Sequence, residues 1–251
     1  MVALDTLRAS VNRLRDLVAP LDDDQVQQSA YPTEWTIADV MSHIGSGAVI
    51  MQRRLDDGIR HEAIADEFPP SVWNTWNAKS PRAKVDDGLV ADRAFVDRID
   101  ALRESERAEA QISMGPLTFG VESLVAFRLN EHVLHSWDIA VSLDPKAVIP
   151  PDSVDAIIDN LELIARFSAK PTGDTRRLVV HTTDPSRAFA IDLAADAVTL
   201  QAAASGDKAD LVLPAEAWIR LVYGRLDPDH APAVANPAGE LELLRQVFPG
   251  P

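Results

Sequence analysis

Residues 118–143 read TFGVESLVAFRLNEHVLHSWDIAVSL. Val125, Leu129 and Val133 recur four apart, with Phe127, Leu134 and Trp137 flanking them, so the segment reads as a helix buried over much of its girth. Gly115-Pro116 precedes it. Asp144-Pro145 ends it, because the residue before a proline is pushed out of the helical region. Buried polar side chains in such a helix need partners. Glu131 and His135 are four apart and project about 40° from one another, and Asp138, a turn beyond, lies on the same side. Imidazole nitrogen plus carboxylate oxygen suits zinc or another first-row divalent ion, with Asp138 placed to orient a ligand from behind. His132 lies about 100° from Glu131 and points elsewhere. A Glu and a His at this spacing commonly make no more than a side-chain hydrogen bond. A metal therefore needs a third donor from another helix.

His43 can supply that donor from the second helix. Thr36 predicts an N-cap, with Asp39 three residues on completing a capping box, and the helix runs through Val40, Ile44, Ile50 and Leu55 to stop near Gly58. Val40 and Ile44 put His43 close to the core side. Leu4, Leu7, Val11, Leu14, Leu17 and Val18 mark a first helix over 3–18, closed by Pro20, and Leu89, Phe95, Ile99 and Leu102 a third. The stretch 58–81, with Pro69, Pro70, Trp73 and Trp76, reads as too polar for a core helix and as a covering segment. Four helices in this arrangement make an antiparallel bundle, in whose core facing side chains converge.

Val148-Ile149-Pro150-Pro151 marks a boundary, so the expected domains are 1–147 and 151–251. The second half begins with a helix over 152–168 and continues with β-like runs at 177–182, 188–193, 198–201 and 210–213. Pro214 opens a helix that runs from 215 to about Gly224, with Trp218, Leu221 and Val222 on its apolar side, and a last helix covers 240–247. The fold class is α plus α+β, a helical bundle followed by a small mixed domain.

Composition narrows the function. Hydrophobic residues make up 46% and charged residues 25% of the 251, the balance of a globular protein. The net charge of −15 disfavours nucleic acid, whose phosphates require basic partners. No apolar run approaches the ~18–20 residues of a membrane span, and the N-terminal MVALDTLRAS has no signal core. With zero cysteines there is no thiolate metal site and no catalytic thiol of the chain's own, which points toward the cytoplasm.

Two segments carry a resemblance. The first is Tyr31-Pro-Thr-Glu-Trp35-Thr-Ile-Ala-Asp39-Val-Met-Ser-His43-Ile, and the second is Arg128…Glu131…His135-Ser-Trp-Asp138. Together they resemble the mycothiol-dependent maleylpyruvate isomerase family, DinB-like bundle proteins of actinobacteria. The resemblance implies a divalent metal, zinc foremost, held by His43 from the second helix and by Glu131 and His135 from the fourth. It also implies mycothiol as a thiol cosubstrate and a small electrophile such as maleylpyruvate as the second partner, in isomerisation or thiol transfer. The C-terminal half is similar to sterol carrier proteins, and Trp218-Ile-Arg-Leu-Val-Tyr-Gly224-Arg225 resembles the family's helix end with a Gly-Arg pair. Arg225 is then the expected substrate-carboxylate anchor, reaching toward the open metal position, with Arg128 and Arg220 behind it. Two other classes stay open: a metal-dependent hydrolase of an amide or ester, and a non-catalytic small-molecule binding protein. Trp35, Trp73, Trp76 and Trp137 are candidate pocket walls in either case.

Overall fold

Leu4, Leu7, Val11, Leu14 and Val18 form the buried stripe of α1 (Val2–Val18) in the computed structural model, which describes residues 2–32, 34–62, 64–115, 117–233 and 239–250. Thr33 and Pro116, quoted above, lie outside these. Burying a side chain of that size stabilises by about 1.5–3 kcal/mol, and this periodic burial rather than helix propensity holds the first unit together. α2 (Ile37–Arg60) starts at the expected capping box: Thr36 Oγ1 accepts from Asp39 N at 3.1 Å and Asp39 Oδ2 accepts from Thr36 N at 3.0 Å. It ends with His61 in a left-handed conformation.

The stretch read as a covering segment contains a helix, α3 (Phe68–Asn77). Its prolines fall in the first turn, where the missing N–H costs nothing, so Pro69 and Pro70 start a helix rather than prevent one. Val72 and Trp76, four apart, are its buried face, and Trp73 is half exposed. α4 (Pro81–Asp100) follows from its Ser80 cap, then α5 (Glu104–Glu109) and an antiparallel hairpin of β1 (Ile112–Met114) and β2 (Leu117–Phe119). The hairpin takes Thr118, so the long helix expected from about that residue begins later, as α6 (Val121–Leu143). α1, α2, α4 and α6 are the four long helices of the bundle. α2 packs on α4 and α6, and α1 packs on α6 and α4. The α2–α4 approach is close because Gly45 and Gly88 face it: a Cβ on Gly45 would lie 2.8 Å from the Gly88 Cα.

The chain forms two compact units, Met1–Ala147 and Val148–Pro251. The second unit opens with α7 (Pro151–Ile157) and α8 (Leu161–Ser168), separated by a 3-10 turn over 158–160 where one helix was expected. Its sheet runs β5-β4-β3-β6, from β3 (Arg176–Thr183), β4 (Arg187–Leu193), β5 (Val198–Ala202) and β6 (Leu211–Pro214). β3 pairs antiparallel with β4 and parallel with β6. α9 (Ala215–Val222) buries Trp218 beside Phe189 and Phe248, and α10 (Glu240–Val247) closes the unit. No helix among the described residues is long and apolar enough to cross a membrane.

Candidate metal centre

The segment leading into α2 is pinned from both sides. Tyr31 N donates to the Asp138 carbonyl at 3.1 Å, and Ala30 N donates to the Trp35 carbonyl at 2.8 Å. This folds Trp35 back against the imidazoles of His43 and His135, with ring centroids 5.4 and 6.2 Å away. His43 lies on α2 beside the buried Met41 and Ile44, at the edge of that helix's apolar stripe. Glu131 and His135 come from α6, one turn apart.

These three side chains converge. His43 Nε2 is 3.4 Å and His135 Nε2 is 3.6 Å from the same Glu131 oxygen, Oε2, and all three donor atoms lie within 4.8 Å of one another. Donors bound tetrahedrally at ~2.1 Å stand roughly 3.4 Å apart, so the spacing fits one divalent ion. Asp138, fully buried, accepts from His135 Nδ1 at 2.9 Å. With the ring proton held on that side, Nε2 turns its lone pair toward His43 and Glu131. Burial pulls the His43 imidazole below its ordinary pKa, aided by the charges of His135 and Arg128 and only partly opposed by Glu131. Burial alone would raise Glu131, but the neighbouring imidazoles of His135 and His43 hold its carboxyl well below the usual carboxylate range. A neutral imidazole and an ionised carboxylate are the protonation states a metal requires.

α6 is buried over much of its girth, as expected, but Glu131 and His135 themselves are only partly buried. The Glu131 side chain keeps 45% of its exposure and His43 keeps 40%, while His135 keeps 12%. An ion held by these groups would face outward on one side, leaving room for a further ligand. Of the four tryptophans expected as pocket walls, Trp35 lies against the His43 and His135 rings. Trp137 is buried with its indole N–H on the Ala147 carbonyl and its ring against Tyr31, and Trp76 packs in the core over Gly45.

A second polar cluster lies in the bundle interior. Asp92 of α4 accepts from Arg128 Nη2 and from His132 Nε2, each at 2.7 Å, and His132 Nδ1 lies 2.8 Å from Ser10 Oγ on α1. All four residues are buried. Burial works against ionisation of Asp92, yet His132 and Arg128 more than offset it and hold its carboxyl at about 2. Asp92 escaped the sequence reading although a signal was available. It falls in phase with Leu89, Phe95, Val96 and Ile99, and an acid on an apolar stripe implies a buried partner.

This cluster removes Arg128 from the list of substrate anchors, since its charge is neutralised inside the bundle. Arg220 is removed likewise: its guanidinium donates to both carboxylate oxygens of Glu216 and to the carbonyls of Arg225 and His230. Arg225 follows Gly224, which takes the left-handed φ of +68°, and its Nη1 donates to the Tyr223 carbonyl at 2.9 Å.

The family described as the mycothiol maleylpyruvate isomerase N-terminal domain matches residues 7–140. Two solved structures share the fold. The crystal structure of a mycothiol-dependent maleylpyruvate isomerase superposes with a TM-score of 0.66 at 13% identity, covering 93% of this chain and 90% of that one. A histidine-to-alanine mutant of a mycothiol-dependent maleylpyruvate isomerase gives 0.65 at 13% identity, over 89% and 88%. No curated protein sequence matches the chain.

Proposed function

The chain belongs to the family of the mycothiol maleylpyruvate isomerase N-terminal domain, and from that premise we propose a metal-dependent enzyme that uses mycothiol to isomerise, or to conjugate, a small electrophile such as maleylpyruvate. The observation that carries this reading is the convergence of His43 Nε2 and His135 Nε2 on one oxygen of Glu131, with Asp138 behind His135. These three residues are the proposed ligands, and zinc is the proposed ion. A divalent ion at such a site lowers the pKa of a bound thiol, so that the nucleophile is available near neutral pH.

With zero cysteines in the chain, the thiol must arrive as a cosubstrate. In the isomerase reading, the thiolate sulfur adds to the cis double bond of the substrate. The resulting single bond rotates, and elimination of the same thiolate restores the double bond in the trans form. In the transferase reading the sulfur stays on the electrophile and the adjacent carbon takes up a proton from water. The chain's own contribution is to hold the donors, to fix the His135 tautomer through Asp138, and to wall one side with Trp35. Arg225 is proposed, from the family resemblance, as the group that grips a substrate carboxylate through its planar fork.

Metal analysis of purified protein, paired with turnover of maleylpyruvate and a panel of small electrophiles with and without mycothiol, tests the proposal. Bound divalent metal and thiol-dependent turnover are the expected results. Metal-dependent hydrolysis of an amide or ester with no thiol requirement would replace the thiol chemistry, and protein with no affinity for divalent metal would end the reading.

A further inference from the structure

Arg128 stands where it can set the distance between the two ligand-bearing helices. It lies on α6 one turn before Glu131, and a single nitrogen, Nη2, makes both of its hydrogen bonds: to Asp92 Oδ1 at 2.7 Å and to the main-chain carbonyl of Ile44 at 2.9 Å. Ile44 is the residue after His43. Nη1 lies against α2 at Gly47, where a Cβ would come within 3.2 Å of it. The guanidinium is thus seated on the α2 backbone, next to one ligand and anchored on the helix that carries the other two.

We infer that Arg128 is a positioning residue of the proposed metal centre, tying α6 to α2 so that His43 meets Glu131 and His135 at bonding distance. The inference rests on the metal reading above. Its physical ground is the difference between packing and hydrogen bonding. Apolar contact between two helices is non-directional and fixes their relative slide less sharply than a hydrogen bond does, whereas metal ligands must hold distances within about 0.2 Å. A charge-assisted hydrogen bond to a main-chain carbonyl is short and directional. A buried ion pair adds little stability over an apolar replacement, so a fully buried Arg–Asp pair at this spot is better explained by the geometry it imposes. Asp92 neutralises the guanidinium, and His132 and Ser10 carry the network on to α1.

The test compares three variants in the full-length chain: Arg128→Lys, Gly47→Ala, and Leu244→Ala as a core lesion in the second unit. Zinc affinity is measured by chelator competition, ligand geometry by the visible spectrum of the cobalt-substituted protein, and stability by thermal unfolding of the metal-free form. Arg128→Lys keeps the charge on a shorter stem without the planar fork, and is expected to bind zinc at least tenfold more weakly with an altered cobalt spectrum. Leu244→Ala is expected to lower the melting temperature while its folded form keeps wild-type zinc affinity. Gly47→Ala presses on the guanidinium without removing any group, and alanine favours the helix. Its zinc affinity is expected to fall several-fold with no loss of thermal stability, a combination a merely structural Arg128 would not produce. Wild-type affinity and spectrum in Arg128→Lys overturn the inference. Should that variant fail to fold, wild-type affinity in Gly47→Ala overturns it instead. A wild-type protein that binds no zinc sinks the metal reading, and the inference with it.

Discussion

Asp138 Oδ2 accepts the Nδ1 proton of His135 at 2.9 Å, while the opposite nitrogen of the same ring, Nε2, stands 3.6 Å from Glu131 Oε2. The ring therefore bridges a buried carboxylate and a half-exposed one. Replacing Asp138 with Asn leaves the volume nearly unchanged but removes the charge that holds the tautomer. Asp138→Asn is expected to weaken metal binding by about 10- to 100-fold, the usual effect of losing such a partner. Isothermal titration with zinc measures it, and unchanged affinity would show that His135 is oriented by something else.

His43→Ala, Glu131→Ala and His135→Ala are each expected to reduce bound metal sharply in elemental analysis, because two remaining ligands no longer define a site. Three histidines serve as controls. His61 ends α2 and His181 lies on β3, so alanine at either should leave metal content intact. His132→Gln is more demanding: its amide can still donate to Asp92, so metal is retained, but stability falls by about 1–3 kcal/mol as buried polar atoms lose partners. Full metal occupancy in all three ligand variants, or loss in His132→Gln matching that in His135→Ala, would show the ligand set to be wrong.

The pKa directions give a pH dependence of one sign. His43 is held below its ordinary 6.5 by burial, so below that value the unfolded chain takes up a proton that the folded form resists. Glu131 and Asp92 are depressed carboxylates, with Asp92 near 2 against an ordinary 3.8, and their contribution is present above the ordinary carboxylate range and lost as pH falls toward the folded values. All three make stability rise with pH. Urea midpoints of the metal-free protein are expected to fall as pH drops from 7.5 to 5, and His43→Gln should flatten the upper part of that slope. A midpoint that rises on acidification over this window would contradict the assignment.

Arg225→Ala is expected to raise KM for a carboxylate-bearing electrophile, or to lower kcat as well if its grip tightens as charge develops, with metal content near wild type. That combination separates an anchor from a ligand. Unchanged steady-state kinetics would leave Arg225 with a role only in its own unit, where it bonds the Tyr223 carbonyl.

The parts of this protein legible from its sequence are those governed by neighbours along the chain. The stripe of α1, the Thr36–Asp39 capping box, the four-residue step from Glu131 to His135 and the Asp138 position beyond it all follow from helical geometry over a few residues. The strand runs of the second unit obey the same local logic. Two of the local readings that went astray did so because one local pattern has two uses. Pro69 and Pro70 start α3 as first-turn prolines, and Thr118 belongs to a hairpin strand although the helical pattern extends back to it. What only tertiary structure decided is which donors meet. His43 and Glu131 are 88 residues apart, and Arg128 and Asp92 are 36 apart. Hydrophobic periodicity says which face of each helix is buried but not how far one helix slides along another. That slide is chosen by close packing at Gly45 and Gly88 and by directional bonds such as Arg128 to Ile44, neither of which leaves a trace in the spacing of a single segment.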